Sequence, residues 1–145
     1  MKKKLLSLLL LFTAVASIAQ VTITPSSFNV TDQITITVSS AAQACNLMGT
    51  TPTKVYMHAG IGDDSNTFGF SVVGNWGQDD SVGLMTNNGN GTWSITLTPS
   101  TYFGLNGTQQ ANATKLGMVF RNANGSQTLK LPPSCRSEER RVGKE

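Results

Sequence analysis

Residues able to do acid–base, nucleophilic or metal chemistry are few in this sequence, and their spacing suits little of it. There is one histidine, His58, and there are two cysteines, Cys45 and Cys135. Residues 20–135 contain no glutamate; their carboxylates are Asp32, Asp63, Asp64, Asp79 and Asp80. A retaining glycosidase needs two carboxyl groups roughly 5–5.5 Å apart across the scissile bond. Asp63-Asp64 and Asp79-Asp80 are chain neighbours in Gly-rich runs. Adjacent side chains in a strand point to opposite faces, and in a turn they cap backbone N–H groups. These four are read as turn acids. A Ca²⁺ site is the alternative, because Ca²⁺ takes hard oxygen ligands, but the spacing matches no EF-hand loop. The motifs GxSxG, HExxH, the P-loop and CxxC are absent. The expectation is a non-enzyme with no catalytic residue, no cofactor and no metal.

Aromatic and amide chemistry remains. Trp76 lies in the loop-like run Gly74-Asn75-Trp76-Gly77-Gln78, and Tyr56 and His58 lie two residues apart in an alternating segment. Sugar-binding surfaces offer aromatic rings to apolar sugar faces, beside Asn, Gln, Asp or His groups that fix hydroxyls. Tyr56, His58, Asn75, Trp76 and Gln78 form the candidate set. Trp93 sits on a cleanly alternating strand and is expected in the core.

Charge excludes other partners. The chain carries +3 overall, but Lys2, Lys3 and Lys4 supply +3 within residues 1–19. Residues 20–135 hold Lys54, Lys115, Arg121 and Lys130 against the five aspartates, a net −1. Residues 136–145 hold Arg136, Arg140, Arg141 and Lys144 against Glu138, Glu139 and Glu145, a net +1. A near-neutral middle lacks the basic face that nucleic acid requires, and it offers nothing to a membrane surface.

Both ends differ from the middle. Residues 1–19 have a positive start, an apolar stretch over Leu5 to Ala14, and small residues at Ser17 and Ala19 before Gln20. That is the pattern of a cleaved secretory signal, and the apolar stretch is short of the roughly 20 residues a bilayer core demands. The expected location is secreted or at the surface of a bacterial cell. In an oxidising compartment Cys45 and Cys135 are expected to pair as a disulfide. The alternative, a reactive or metal-bound thiol, lacks a nearby His or a CxxC partner. Residues 136–145 resemble the conceptual translation of a common sequencing adapter at all ten positions. The expectation is a tail without evolved contacts, on a chain whose natural sequence continues differently after Cys135.

The elements that must position the candidate set read as strands. Residues 20–135 are rich in Thr, Asn, Ser and Gly, and period-2 alternation recurs. Strands are expected over Val21–Thr24, Gln33–Ser39, Lys54–Ala59, Phe68–Val73, Thr92–Thr98, Lys115–Arg121 and Ser126–Leu131. Asn87 to Gly91 and Asn122 to Gly125 tolerate the positive φ of tight turns. Pro25, Pro52, Pro99 and Pro132-Pro133 fall between strands. One antiparallel immunoglobulin-like β-sandwich of about seven to eight strands follows, with an open barrel as the alternative. Tyr56 and His58 should share one face and Val55 and Met57 the other, leaving one pair exposed.

The order of Lys54–Gly60, Val72–Asp80, Gly83–Thr86, Gly91–Leu97 and Met118–Gly125 resembles the amino-terminal sandwich domain of bacterial secreted α-amylases of glycoside hydrolase family 13. More distantly it resembles starch-binding modules. The likeness covers most of residues 20–135. It implies a monomeric, non-catalytic accessory domain, with an α-glucan such as starch or glycogen and a catalytic barrel missing from this chain as its partners. It implies that His58 and Trp76 contact glucose units. The other reading is an immunoglobulin-like spacer or docking domain with no ligand of its own. An exposed Trp76 beside His58 favours binding; a buried Trp76 favours the spacer.

Overall fold

A computed structural model describes residues 20–41, 45–130 and 135–143. Residues 1–19, expected to form a signal, and Pro132-Pro133 lie outside the described residues. Nine strands are seen among those described: β1 (Val21–Thr24), β2 (Ile34–Ser39), β3 (Tyr56–Gly62), β4 (Ser71–Val73), β5 (Thr86–Gly89), β6 (Thr92–Leu97), β7 (Lys115–Arg121), β8 (Thr128–Leu129) and β9 (Glu138–Arg141). They form two antiparallel sheets, one ordered β1-β2-β6-β5 and one ordered β4-β3-β7-β8, with β9 also on β7. These orders are the A-B-E-D and C′-C-F-G orders of an immunoglobulin sandwich, β8 and β9 dividing the last position between them. The chain is thus an all-β sandwich with one or two strands more than its alternation suggested.

Alternation places the core. Ile34, Ile36 and Val38 of β2 are buried, with Trp93 and Leu97 of β6. The opposing sheet contributes Met57, Ala59 and Ile61 of β3 with Leu116, Met118 and Phe120 of β7, also buried. The pairing of β3 with β7 sets Met57 beside Phe120, Ala59 beside Met118 and Ile61 beside Leu116 on the inner face. The residues between them pair on the outer face: Tyr56 with Arg121, His58 with Val119, Gly60 with Gly117 and Gly62 with Lys115.

Some expected boundaries move. The strand expected over Phe68–Val73 pairs only from Ser71, and of the one expected over Ser126–Leu131 the described residues form a strand at Thr128–Leu129, with Leu131 outside the described residues. Asn87 to Gly91 is not all turn. Residues Thr86–Gly89 pair with β6 as a wholly exposed strand, and Asn90 (φ 48°) and Gly91 (φ 77°) alone make the loop. Positive φ at both positions is the primed turn that follows strand twist. Two short helices, α1 (Pro99–Tyr102) and α2 (Gly107–Asn112), occupy the β6–β7 connection. Asn106 and Gln109 cap α2 reciprocally. Helices this short carry no 3.6-residue apolar period to read.

Cys45 and Cys135 are bonded, with Cα atoms 5.3 Å apart and a sequence separation of 90. In the loop-entropy model a closure of this length stabilises by ~4–5 kcal/mol. Part of the adapter-like tail lies against the sheet. Glu138 to Arg141 pair with Met118 to Lys115, because the outer half of β7 otherwise leaves its backbone N–H and C=O groups open. The inner positions of β9 are nonetheless charged. Glu138 is 4% exposed and forms an ion pair with Arg140. Its second carboxylate oxygen has no partner, and burial raises its pKa.

Two outcomes follow for stability. Trp93→Ala empties a core position and should cost ~3–5 kcal/mol in chemical denaturation; a loss below ~1 kcal/mol would place the ring outside the core. Glu138 is buried while Arg140 is partly exposed, so replacing both by Leu should leave stability unchanged or raise it by about 1–2 kcal/mol, the lower part of the range for buried ion pairs exchanged for apolar residues. A marked fall would show that the pair holds β9 in place.

Candidate functional site

At the Tyr56–Arg121 end of the outer face two loops meet. One is residues 74–80, following β4; the other is residues 122–127, joining β7 to β8. Arg121 fastens both. Its side chain is fully buried. One terminal nitrogen donates to the carbonyls of Asn122 (3.0 Å) and Ala123 (2.8 Å). The other donates to those of Asn75 (2.8 Å) and Gln78 (3.0 Å). The guanidinium lies 4.5 Å from the Tyr56 ring centroid and 6.0 Å from that of Trp76, an arrangement that favours a cation over both π faces.

Tyr56 departs from the expectation. Neither it nor Val55 and Met57 is exposed; Tyr56 is 1% exposed beneath the guanidinium. Its hydroxyl donates to Asp79, which also accepts from Lys54 Nζ at 2.7 Å. Alternation separated the two faces correctly, but the loops cover the outer face here as sheet packing covers the inner one. Tyr56 therefore supports the site from below and does not reach its surface. The Lys54 hydrogen bond, then that from Tyr56, holds the Asp79 carboxyl below its ordinary range.

Trp76 is 48% exposed. Its ring stands 5.4 Å from that of His58, nearly perpendicular at 84°, and Arg121 lies toward one of its faces. The indole also rests on Gly125. A Cβ at Gly125 would lie 2.8 Å from the indole Nε1, and φ there is +70°, so both the backbone and the close approach require glycine. Gly74 does the same for His58: φ is +133°, and a Cβ would lie 2.6 Å from the imidazole Nδ1. Asn75 and Gln78 are exposed. Their carbonyls serve Arg121, and the Asn75 amide donates to Asp80 at 2.5 Å.

The sequence thus pointed to five residues, and the structure brings His58, Asn75, Trp76 and Gln78 together at the surface with Tyr56 below. Reading residues one at a time passed over Arg121. Its signal was available: it continues the outward series Lys115, Gly117, Val119 and adjoins an Asn-x-x-Gly turn. Two of the four acids read as turn acids cap nearby backbone, while Asp79 instead pairs with Lys54 and Tyr56 and Asp64 with Lys115 and Arg141. Asp63 accepts from the N–H groups of Ser65 (2.9 Å) and Asn66 (3.1 Å), and Asp80 accepts from that of Val82 (3.1 Å). Among the described residues no group of three His, Cys, Asp or Glu side chains could hold a metal ion. Concavities of about 190, 260 and 280 Å³ open elsewhere and include neither His58 nor Trp76. Chemically, the arrangement can stack and hydrogen-bond; it has no nucleophile beside a base.

Fold and face together define an immunoglobulin-like sandwich that presents an exposed indole on a preorganised loop. Residues 21–129, from the start of β1 to the end of β8, match the family described as Domain of unknown function (DUF8578), and the chain belongs to that family. No curated protein matches it.

His58 offers a direct check of this geometry. Burial, then the charge of Arg121, lowers its pKa below the ordinary 6.5. A base with a depressed folded pKa binds fewer protons folded than unfolded, so its contribution to stability is whole above pH 6.5 and declines as pH falls below it. NMR titration of the imidazole should give a midpoint under 6.5; a midpoint at or above that value would mean an open, solvated ring. Arg121→Met leaves four carbonyls without their donor and should cost on the order of 3 kcal/mol or more, with faster hydrogen exchange in residues 74–80. Unchanged exchange there would show that Arg121 does not fasten the loop.

Proposed function

We propose that this domain is a non-catalytic α-glucan-binding module, the accessory part of a secreted amylase-type glycoside hydrolase. The observation that carries the reading is the half-exposed Trp76 ring, backed by Arg121 and flanked edge-on by His58. A rigid indole gives a sugar ring apolar area without ordering a loose side chain on binding. His58, held neutral by its surroundings, can donate or accept a hydrogen bond from a hydroxyl, and Asn75 and Gln78 stand beside the ring. The choice of an α-linked glucan rests on the sequence resemblance to amylase accessory domains.

Native gels containing amylose or soluble starch should retard the protein, and cellulose should not. Stacking on one platform buries little apolar area at ~25 cal/mol per Å², so Kd is expected on the order of 0.1 to 1 mM. Trp76→Ala should abolish retardation with the fold intact. His58→Ala should weaken it by roughly 1–2 kcal/mol, about one hydrogen bond. Absence of retardation by any α-glucan would leave the spacer reading in its place.

A further inference from the structure

The outer face of β3 and β7 carries a second ring. Gly60 and Gly117 face each other across the two strands, and Phe68 lies over both. A Cβ on Gly60 would fall 2.1 Å from Phe68 Cδ1, 2.9 Å from Cγ and 3.0 Å from Cε1. A Cβ on Gly117 would fall 2.7 Å from Cζ and 2.8 Å from Cε2. Contact through five of the six ring atoms, divided between two strands, seats the ring across both glycines at backbone level. Phe68 remains partly exposed, so part of the ring is open to a ligand.

The loop holding this ring is ordered by its own hydrogen bonds. Asn66 Oδ1 accepts from the Phe68 N–H (3.1 Å), and the Asn66 carbonyl accepts from Gly69 N–H (3.0 Å). The Phe70 N–H donates to the Ile61 carbonyl at 2.9 Å. Successive outward positions on a strand are roughly 6.5 Å apart. Along β3 they run from Tyr56, under Arg121 and Trp76, to His58, then to Gly60 under Phe68. Val119 lies opposite His58, and Val72, 47% exposed, lies beside Gly60.

Among the described residues the side chains between Trp76 and Phe68 are uncharged at the surface, and the exposed charges flank the stretch as ion pairs: Lys54 with Asp79 beside Tyr56, and Lys115 with Glu139 beyond Phe68. Arg121 is buried with its terminal nitrogens engaged, and Lys115 stands one position beyond Phe68. The occupant that fits is long, uncharged, flat-faced and hydroxylated. We propose that Phe68 is a second stacking platform on the Trp76 face, so that the site takes an extended α-glucan chain spanning both rings and not a single terminal sugar. This rests on the glucan-binding reading and specifies the ligand's length.

Calorimetry of the full chain with maltotriose and maltoheptaose tests it. A chain reaching both rings should bind about tenfold or more tighter than one reaching a single ring, beyond the few-fold gain from extra registers. Phe68→Leu keeps an apolar cover over Gly60 and Gly117 but removes the flat ring. It should reduce the heptaose-to-triose affinity ratio to threefold or less. A Phe68 that only covers the glycines would alter both affinities alike and leave the ratio intact, which overturns the proposal. In wild-type protein with ¹³C-labelled phenylalanine, maltoheptaose should shift the Phe68 ring signals and maltotriose should not; this readout needs no variant to fold. Equal affinity for both oligosaccharides overturns the second platform while the Trp76 site stands. Binding of neither overturns both.

Discussion

The candidate site depends on one buried cation. Among the described residues no carboxylate pairs with Arg121; four backbone carbonyls and the face of Tyr56 surround it. Removing a guanidinium from water is costly unless its donors are satisfied and its charge is met by dipoles or π density. Here the backbones of two different loops satisfy both terminal nitrogens, and Nε alone stays without a hydrogen-bond partner. Neither loop could detach without stranding the cation, and the cation could not leave without stranding the carbonyls. The position of Trp76 is thus set by electrostatics at its base, and its ring remains free at the surface.

That latch works because strand register delivers it. Arg121 pairs with Tyr56, so the cation and its π partner arrive on the outer face as a consequence of how β7 aligns with β3. A slip of one residue would turn Arg121 into the core and Phe120 outward. The inner partners, Met57 with Phe120, Ala59 with Met118 and Ile61 with Leu116, resist that slip, since each is buried. Hydrophobic packing on one side of the sheet therefore fixes polar geometry on the other. The same register places Gly60 against Gly117, which allows Phe68 to lie at backbone level.

Much of the sandwich was legible in the sequence, because alternation reports which side of a strand faces the core. β2, β6 and β7 announce themselves in this way, and so does the burial of Trp93. The two cysteines of an expected exported domain announced their pairing. β5 did not, since its residues Thr86–Gly89 are exposed and held by β6 alone. The site was legible only in its surface members. Trp76 and its glycines read as a loop, but the burial of Tyr56 comes from Arg121, 65 positions later in the chain. Alternation assumes that one face of a strand is dry and the other wet, and it carries no information about a loop that folds back over the wet one. Phe68 was read as part of a strand for the same reason: its role appears only when two distant glycines are seen to be neighbours.

β9 shows what a sheet edge asks of its neighbour. Pairing with Lys115 to Met118 satisfies backbone groups, and any extended segment can supply it, which is how a charged sequence acquires strand structure. Side chains are judged separately. Alternation sends Glu139 outward, where it meets Lys115 at 2.5 Å and accepts from the Thr67 hydroxyl at 2.7 Å, and it sends Glu138 and Arg140 inward. Arg140 reaches the carbonyl of Val21 in the facing sheet, while Glu138 keeps one oxygen unpartnered. An inner position in a sandwich calls for an apolar residue, as β2, β3 and β7 all show. The residues that match the family end with β8, before this strand begins. In β9 the backbone fits the fold and the inward side chains oppose it, so its place in the sheet rests on hydrogen bonding to β7 and on Val142, which is buried beyond its end.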